Sequence, residues 1–224
     1  MSAPYLIRAT LRRDGGLSAI APLLLPDGAG AKVGAAHRLV WVLFGQVAAQ
    51  KRDFLWRQIG PGRFLILGER EPEDPHGLFD VECKPFAPVL SAGQRIRFDL
   101  RVNATISAAR GQGVRGRREG LLAHHLRAVP PSGRQEAARG AALGWLTRQG
   151  ERDGFAPDPE AFLLSADDTW RIPRQGAAAE LAVMDLAGEC VVHEPGRFLA
   201  AVSRGFGHAR VFGCGLMLLG PPRG

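Results

Sequence analysis

Residues 205–219 read Gly-Phe-Gly-His-Ala-Arg-Val-Phe-Gly-Cys-Gly-Leu-Met-Leu-Leu, and the rest of the chain is interpreted outward from this stretch. Its first part is a glycine-rich turn that carries His208 and Arg210, and its last part is an apolar strand. Glycine permits positive φ and lets the backbone approach a ligand closely. Successive backbone N–H groups in such a turn form a concavity for an anion, and a nearby arginine adds a bidentate contact. An ordinary turn before a buried strand explains the same residues, so other segments of the chain are needed to distinguish an anion-binding turn from an ordinary one.

Composition restricts the class of protein. The 224 residues suit one large domain or two smaller ones, and a hydrophobic fraction of 46% is enough for packed cores. There is no run of about 18 apolar residues and no segment ordered like a signal peptide, so we expect a cytoplasmic protein without a membrane span. The three cysteines form no C-x-x-C pair, which indicates neither a zinc site nor a disulfide framework. A net charge of +7 favours a polyanionic partner.

The first half of the sequence predicts one α+β unit. Alternating side chains predict a strand at residues 5–13, and apolar residues at helical spacing predict a helix at 31–50. His37 lies in the first turns of this helix, on or beside its apolar face. Further strands are predicted at 54–58, 63–70 and 79–85, with room for a short helical element before the last of them.

The second half predicts a similar unit after a short linker. Residues 89–94 are the predicted linker, which divides the chain into domains at 1–88 and 95–224. The strand at 95–103 alternates between apolar and mostly basic side chains. The remaining predicted elements are an arginine-rich loop or hairpin at 110–127, a helix at 135–149, strands at 162–172 and 182–192, a helix at 197–204 and the final strand. This order predicts an α+β fold of two tandem ferredoxin-like (β-α-β-β-α-β) domains.

Several common catalytic motifs are missing from the sequence, among them H-E-x-x-H, G-x-x-x-x-G-K-[ST] and G-x-S-x-G. No pair of carboxylates is arranged as in a two-metal nuclease, and we predict no metal ion and no other cofactor. A nuclease built on histidine and arginine would need RNA, because RNA supplies its own nucleophile, the 2′-hydroxyl. Histidine suits proton transfer at neutral pH, and arginine stabilises charge that develops on the phosphate.

Three stretches taken together resemble a known family, the CRISPR-associated endoribonucleases of type I-E systems, or CasE family. Residues 205–219 are similar to the glycine-rich motif that closes members of this family. Residues 86–103 are similar to the inter-domain segment and the first strand of the second domain. Residues 36–39 and 52–57 are similar to the histidine-bearing helix and the strand after it. The resemblance covers most of the chain.

The resemblance implies a function and a set of site residues. Members of the family have two ferredoxin-like domains, bind the stem-loop of CRISPR repeat RNA and cleave it without metal. They then remain on the product, together with the other subunits of the Cascade complex. By motif position, His37 corresponds to the catalytic histidine. The RNA-binding residues that the resemblance implies are Arg38, Arg101, Asn103, Arg110, Arg115, Arg117, Arg118, Gly205, Gly207, His208 and Arg210.

Departures from the family pattern leave alternatives open. Some members carry a tyrosine one helical turn before the histidine, where this chain has Gly34. A non-cleaving RNA-binding subunit of the same fold is therefore an alternative, and an unrelated basic α+β protein that binds a nucleotide or small anion is a third hypothesis. His208 is expected either as a second acid–base group or as a phosphate contact. For Cys190, Cys214 and the four tryptophans, we expect places in the core.

Overall fold

The computed structural model describes residues 4–12, 29–44, 53–108, 117–172 and 179–222. Helices and antiparallel strands alternate along these residues, which confirms the predicted α+β class. Among the helices described, none is long and apolar enough to cross a membrane.

The first unit is a four-stranded antiparallel sheet with helix α1 packed on it. Its elements in chain order are β1 (Tyr5–Leu11), α1 (Ala29–Val42), β2 (Phe54–Gly60), β3 (Arg63–Gly68) and β4 (Phe79–Pro85). The strand order across the sheet is β2-β3-β1-β4. Alternation along β1 buries Ile7, Ala9 and Leu11 against α1 and leaves Arg8 exposed, as a one-sided sheet requires.

Helix α1 ends at Val42, before the predicted end at residue 50. The carbonyl of Leu43 accepts hydrogen bonds from the N–H groups of Glu73 (2.8 Å) and Asp74 (3.1 Å). The loop between β3 and β4 therefore satisfies a carbonyl that a longer helix would have bonded internally. That loop contains a turn and no helix, although the sequence left room for one. Residues 45–50 of the prediction lie outside the described residues.

The second unit repeats this arrangement with an added hairpin. Its elements are β5 (Arg95–Val102), β6 (Thr105–Ala108), β7 (Arg117–Gly120), α2 (Leu121–His125), α3 (Arg134–Asp153), β8 (Phe155–Pro157), β9 (Leu163–Ile172), β10 (Ala179–Val192), α4 (Pro195–Arg204) and β11 (Met217–Gly220). The sheet order is β11-β5-β10-β8, while β9 pairs with the first part of β10 and β6 pairs with β7. With β5, β8, β10 and β11 counted as strands one to four, both sheets have the order four-one-three-two. The predicted tandem ferredoxin-like fold is confirmed.

Each unit has its own core, and a third cluster joins them. This cluster packs Val33 of α1 against Trp170 of β9 and Cys214 of the glycine-rich stretch. Leu55 of β2 lies in the core of the second unit, which brings the two sheets into direct contact. We call the region formed by α1, β2, β9 and residues 205–215 the domain junction. The predicted limits of the two domains and of their linker stay a prediction.

The residues expected in the core are mostly there. Cys190 and Cys214 are fully buried, and burial raises the pKa of each thiol to about 12, so both act as small apolar residues. Trp41 differs from the other three tryptophans because it is only half-buried. The buried tryptophans are Trp56, Trp145 and Trp170.

Candidate functional site at the domain junction

Residues 205–215 cross the junction in a conformation that needs glycine. Their backbone has positive φ at Gly205 (80°), Gly207 (67°), Ala209 (55°), Gly213 (79°) and Gly215 (93°). A Cβ on Gly207 would lie 2.4 Å from Cγ2 of Val102 and 2.8 Å from the carbonyl oxygen of Asn103. A Cβ on Gly205 would lie 2.8 Å from Cδ1 of Leu55. These two glycines are therefore required by tight packing as well as by φ, and RNA contact by either stays a prediction.

Backbone hydrogen bonds tie the glycine-rich turn to the end of β5. The N–H of His208 donates to the carbonyl of Asn103 (2.9 Å), and that of Gly215 donates to the carbonyl of Arg101 (2.7 Å). The side chain of Asn103 is buried, and its Nδ2 donates to the carbonyl of Ala182 at 2.6 Å. Asn103 thus anchors the turn to β10, and an RNA contact by its side chain stays a prediction.

His37 lies on the side of α1 that faces this turn. The imidazole is half-buried, and the indole N–H of Trp41 donates to its Nε2 at 2.8 Å. The ring of Phe212 lies 6.1 Å from the imidazole, centroid to centroid. Phe212 ends a short 3₁₀ turn that begins at Arg210, and the neighbour of His37 on α1, Arg38, is exposed. The fold therefore brings His37 of the first unit beside the glycine-rich turn of the second.

Two arginines of the junction are neutralised by aspartates, and we call them the paired arginines. Arg101 donates to both carboxylate oxygens of Asp185 (2.7 and 2.6 Å), which raises the pKa of Arg101, and its guanidinium lies 5.5 Å from the ring centre of Trp170. Arg57 is 8% exposed and crosses from β2 to the second sheet. Arg57 Nη1 forms an ion pair with Oδ1 of Asp99 at 2.7 Å. The N–H bonds of Nη1 are not aligned for a hydrogen bond with any acceptor among the described residues. Arg57 Nη2 lies 3.9 Å from Asp185.

Arg210 is a half-buried cation without a carboxylate partner among the described residues. Its Nε donates to the carbonyl of Gly207 at 3.3 Å. Burial lowers the pKa of Arg210, and the charges of Arg204 and Arg152 lower it further. The buried Asp153 accepts hydrogen bonds from both Arg204 (2.8 Å) and Arg152 (2.6 Å), so one carboxylate is shared by these two arginines. The cluster carries an excess of positive charge that a bound anion would relieve.

His208 and Arg118 extend this positive charge towards the β6–β7 hairpin. Burial lowers the pKa of His208, and the charges of Arg118 and Arg210 lower it further. Arg118 is exposed on β7 and forms no ion pair within the described part of the chain. We call Arg118, His208 and Arg210 the open cations. No three His, Cys, Asp or Glu side chains among the described residues converge to hold a metal ion.

The structure adds residues to the predicted site and leaves others undescribed. Trp41 was expected only as a core residue, although its spacing of four residues from the helix histidine placed the two on one face. Arg204 joins the site because the fold brings the end of α4 to the turn, which no local pattern indicates. Among the predicted RNA-binding arginines, Arg110 and Arg115 lie outside the described residues, and only the backbone of Arg117 is described.

Two ferredoxin-like units with a histidine beside a cationic glycine-rich turn are the arrangement that the sequence motifs predicted for a CRISPR-associated protein. A family model described as CRISPR associated protein matches residues 5–221. The chain therefore belongs to this family of CRISPR-associated proteins, and the resemblance indicated by the sequence motifs is confirmed.

Solved structures agree with this assignment. The chain is 25% identical to a CRISPR endoribonuclease Cse3 bound to a 19-nucleotide RNA, with a TM-score of 0.71 over 98% of this chain and 100% of that one. Thermus thermophilus Cse3, bound to an RNA that represents a pre-cleavage complex, gives 24% identity and a TM-score of 0.70 over 98% and 100%. Cas6e from Escherichia coli K-12 gives 18% and 0.63 over 97% and 99%. No curated protein is a significant match to the sequence.

Proposed function

We propose that the chain is an endoribonuclease that binds the stem-loop of CRISPR repeat RNA and cleaves it without a metal ion. We further propose that it acts in the cytoplasm and stays on its product as a subunit of Cascade. The observation that carries the proposal is the junction itself, where His37 packs beside a turn whose Arg210 has no carboxylate partner among the described residues. Family membership and the similarity to an RNA-bound Cse3 endoribonuclease support it.

The open cations suit the binding of an RNA backbone. Arg118 lies on the β6–β7 hairpin, and His208 and Arg210 lie on the turn, so positive charge runs from the hairpin to the junction. His208 and Arg210 gain from a phosphate, because burial and neighbouring positive charges disfavour their charged forms in the unbound protein. RNA stems are recognised largely through phosphates, 2′-hydroxyls and shape, which needs cations at fixed spacing more than base-reading side chains.

The chemistry that we propose for the cut uses the RNA as its own nucleophile. A base removes the 2′-hydroxyl proton, and the 2′-oxygen forms a bond to the adjacent phosphorus. The bond from phosphorus to the 5′-oxygen breaks, and that oxygen receives a proton from an acid. The products are a 2′,3′-cyclic phosphate and a 5′-hydroxyl. His37 serves one of the two proton-transfer roles, and the arginines stabilise the negative charge of the transition state.

The test is single-turnover cleavage of the cognate repeat hairpin in excess EDTA. We expect His37→Ala to lower the rate by about 10²-fold or more, since general acid–base catalysis contributes about 10²–10⁴-fold. Hairpin affinity should change little. His76→Ala is the matched control. His76 is exposed in the loop between β3 and β4, so this variant should cleave the hairpin at the normal rate. Cleavage of a hairpin with a 2′-deoxy nucleotide at the cut would exclude the proposed chemistry.

The same assay separates the enzyme from its main alternative. Gly34, at the position where some relatives have a tyrosine, favours a subunit that binds RNA without cutting it. In that case the hairpin would be retained at ~0.2 M salt, where non-specific phosphate contacts weaken, but it would stay intact. Equal retention of a single strand and a stem-loop would instead favour a general anion-binding protein.

A further inference from the structure

We propose that Trp41 is a positioning residue that holds the imidazole of His37 in the tautomer with its proton on Nδ1. The proposal deepens the proposed function and rests on it for its catalytic meaning. The contact that carries it is the hydrogen bond of 2.8 Å from the indole N–H to Nε2.

The chemistry of the two rings dictates the direction of this hydrogen bond. The indole N–H can only donate, so Nε2 of His37 must accept with its lone pair. A neutral imidazole carries one N–H, and the other nitrogen is the acceptor. With Nε2 as the acceptor, the proton of neutral His37 is on Nδ1. The hydrogen bond from Trp41 thus favours the tautomer with its proton on Nδ1.

Aromatic packing holds the indole in place. The ring of Trp41 meets that of Phe54 edge to face at 5.2 Å, and Phe54 stacks on Phe44 at 4.6 Å between centroids. Phe212 lies 6.1 Å from the imidazole, centroid to centroid. His37 and Trp41 are four residues apart on α1, which places both rings on one face of the helix. The indole N–H therefore points at the imidazole before any ligand binds.

This tautomer restricts what His37 does in the cut. While the bond from Trp41 is intact, neither ring nitrogen can accept the 2′-hydroxyl proton, because Nε2 is bonded to the indole and Nδ1 carries a hydrogen. Neutral His37 is also too weak an acid to protonate the leaving 5′-oxygen, because loss of its N–H proton would leave an imidazolate. His37 therefore transfers a proton in either role only after the bond from Trp41 opens, which frees Nε2 as a base or admits a second hydrogen for an acid. Protonation of the ring would place a hydrogen on Nε2 opposite the indole N–H. The indole thus opposes formation of the imidazolium, which the complete transfer of a proton from His37 requires.

The experiment is a pH titration of the ring nitrogens of His37 by long-range ¹H–¹⁵N NMR on the RNA-free protein. Wild-type His37 should show a protonated Nδ1 when neutral. Trp41→Phe keeps an aromatic ring but removes the N–H, so the fraction of neutral His37 with its proton on Nδ1 should fall and the titration midpoint should move to higher pH. Trp145→Phe is the matched control, because it removes an indole N–H from the core of the second unit and should leave both readouts unchanged.

The other charged groups near α1 are the same in the wild-type protein and in the variants. Among the side chains that the structure describes on α1 and on the two elements packed against it, they are Arg38 on the helix, Arg210 on the 3₁₀ turn, and Asp167, Asp168 and Arg171 on β9. The difference between Trp41→Phe and wild type therefore reports on the indole N–H. Ring-nitrogen shifts that are the same in both proteins would overturn the proposal.

Cleavage adds a second, separable readout. The pH at which the single-turnover rate is half-maximal should move in Trp41→Phe in the same direction as the NMR midpoint. A profile that stays in place while the NMR midpoint moves would show that the tautomer has no role in the cut, and that would reject the catalytic part of the proposal. If His37→Ala cuts at the normal rate, the proposed function fails in its choice of histidine, while the NMR result stands independently.

Discussion

The domain junction contains two sets of arginines with opposite surroundings. The paired arginines, Arg57 and Arg101, lie against Asp99 and Asp185, and their charges are matched within the protein. Arg210 has a backbone carbonyl as its hydrogen-bond partner, and other arginines rather than carboxylates dominate the charge around it. The same residue type thus joins two domains at one point and leaves positive charge unbalanced at another.

The difference shows in the direction of the pKa shifts. Hydrogen bonds to Asp185 raise the pKa of Arg101, so the folded protein favours its charge. Burial and neighbouring arginines lower the pKa of Arg210, so the folded protein disfavours its charge. A group whose charge is disfavoured until an anion arrives is suited to binding, and a group already paired is suited to structure.

The largest expected effect is on stability, from Asp185→Ala. The carboxylate accepts two hydrogen bonds from Arg101 and lies 3.9 Å from Nη2 of Arg57, so its loss leaves two guanidinium groups poorly compensated in the junction. Removing one partner of a buried ion pair is strongly destabilising, and we expect a loss of about 3 kcal/mol in the free energy of unfolding. Urea denaturation followed by tryptophan fluorescence measures it.

The matched control for this substitution is Asp80→Ala. Asp80 pairs with Arg12 on the surface of the first sheet, at 2.8 Å, with 69% and 42% of the two side chains exposed. An exposed ion pair contributes about 0–1 kcal/mol, so this variant should unfold close to wild type. Equal stability of the two variants would show that the paired arginines do not hold the junction together.

An intermediate effect is expected on RNA affinity, from Arg210→Ala compared with Arg101→Ala. Removal of Arg210 should weaken binding of the stem-loop by about tenfold, which corresponds to the loss of one charge-assisted hydrogen bond. The slope of log affinity against log salt concentration should become shallower by about one, the value for one phosphate contact. Stability should change little, because this charge is disfavoured in the unbound protein. Arg101→Ala should instead destabilise the protein and leave the salt dependence unchanged. Binding titrations at ~0.1 and ~0.2 M salt decide between the two patterns. Arg210→Lys, which keeps the charge, should retain most of the affinity.

The sequence alone could not distinguish these two sets of arginines. Arg101 and Arg210 both lie in motifs that resemble the CasE family, and both were predicted to bind RNA. The partner of Arg101 is Asp185, which lies 84 residues further along the chain and reaches it only through the pairing of β5 with β10. Asn103 shows the same limit, because the carbonyl that its amide meets belongs to Ala182 on that strand. Long-range pairing of this kind leaves no local signal.

Local patterns predicted the fold much better. Strict alternation predicted β5, and the glycine spacing predicted a turn whose positive φ values the structure contains. The third core cluster then explains why the site lies at the junction, since it packs α1 against the turn. The end of α1 was predicted wrongly because the hydrogen bonds that Leu43 accepts come from a distant loop.

The smallest expected effect is a pH dependence of RNA binding through His208. Burial, Arg118 and Arg210 lower the pKa of His208 below its ordinary value of 6.5. Protonation therefore favours the unfolded chain, and the small stability that neutral His208 contributes is present above pH 6.5 and lost as the pH falls through the lowered pKa. Bound phosphates have the opposite effect, because they favour the protonated ring. Affinity for a stem-loop with a 2′-deoxy nucleotide at the cut, which blocks cleavage, should rise by less than about tenfold between roughly pH 7.5 and 5.5.

Two variants relate this pH dependence to the open cations. His208→Gln should flatten it, whereas His193→Gln, at an exposed position outside the junction, should not. Arg118→Ala removes one of the repelling charges, so the pKa of His208 rises and the gain in affinity should begin at higher pH than in wild type. Arg118→Ala should still bind more weakly at every pH, because a phosphate contact is lost. If the onset stays where it is in wild type, Arg118 and His208 are too far apart to act as one cationic surface, and the open cations bind phosphates independently of each other.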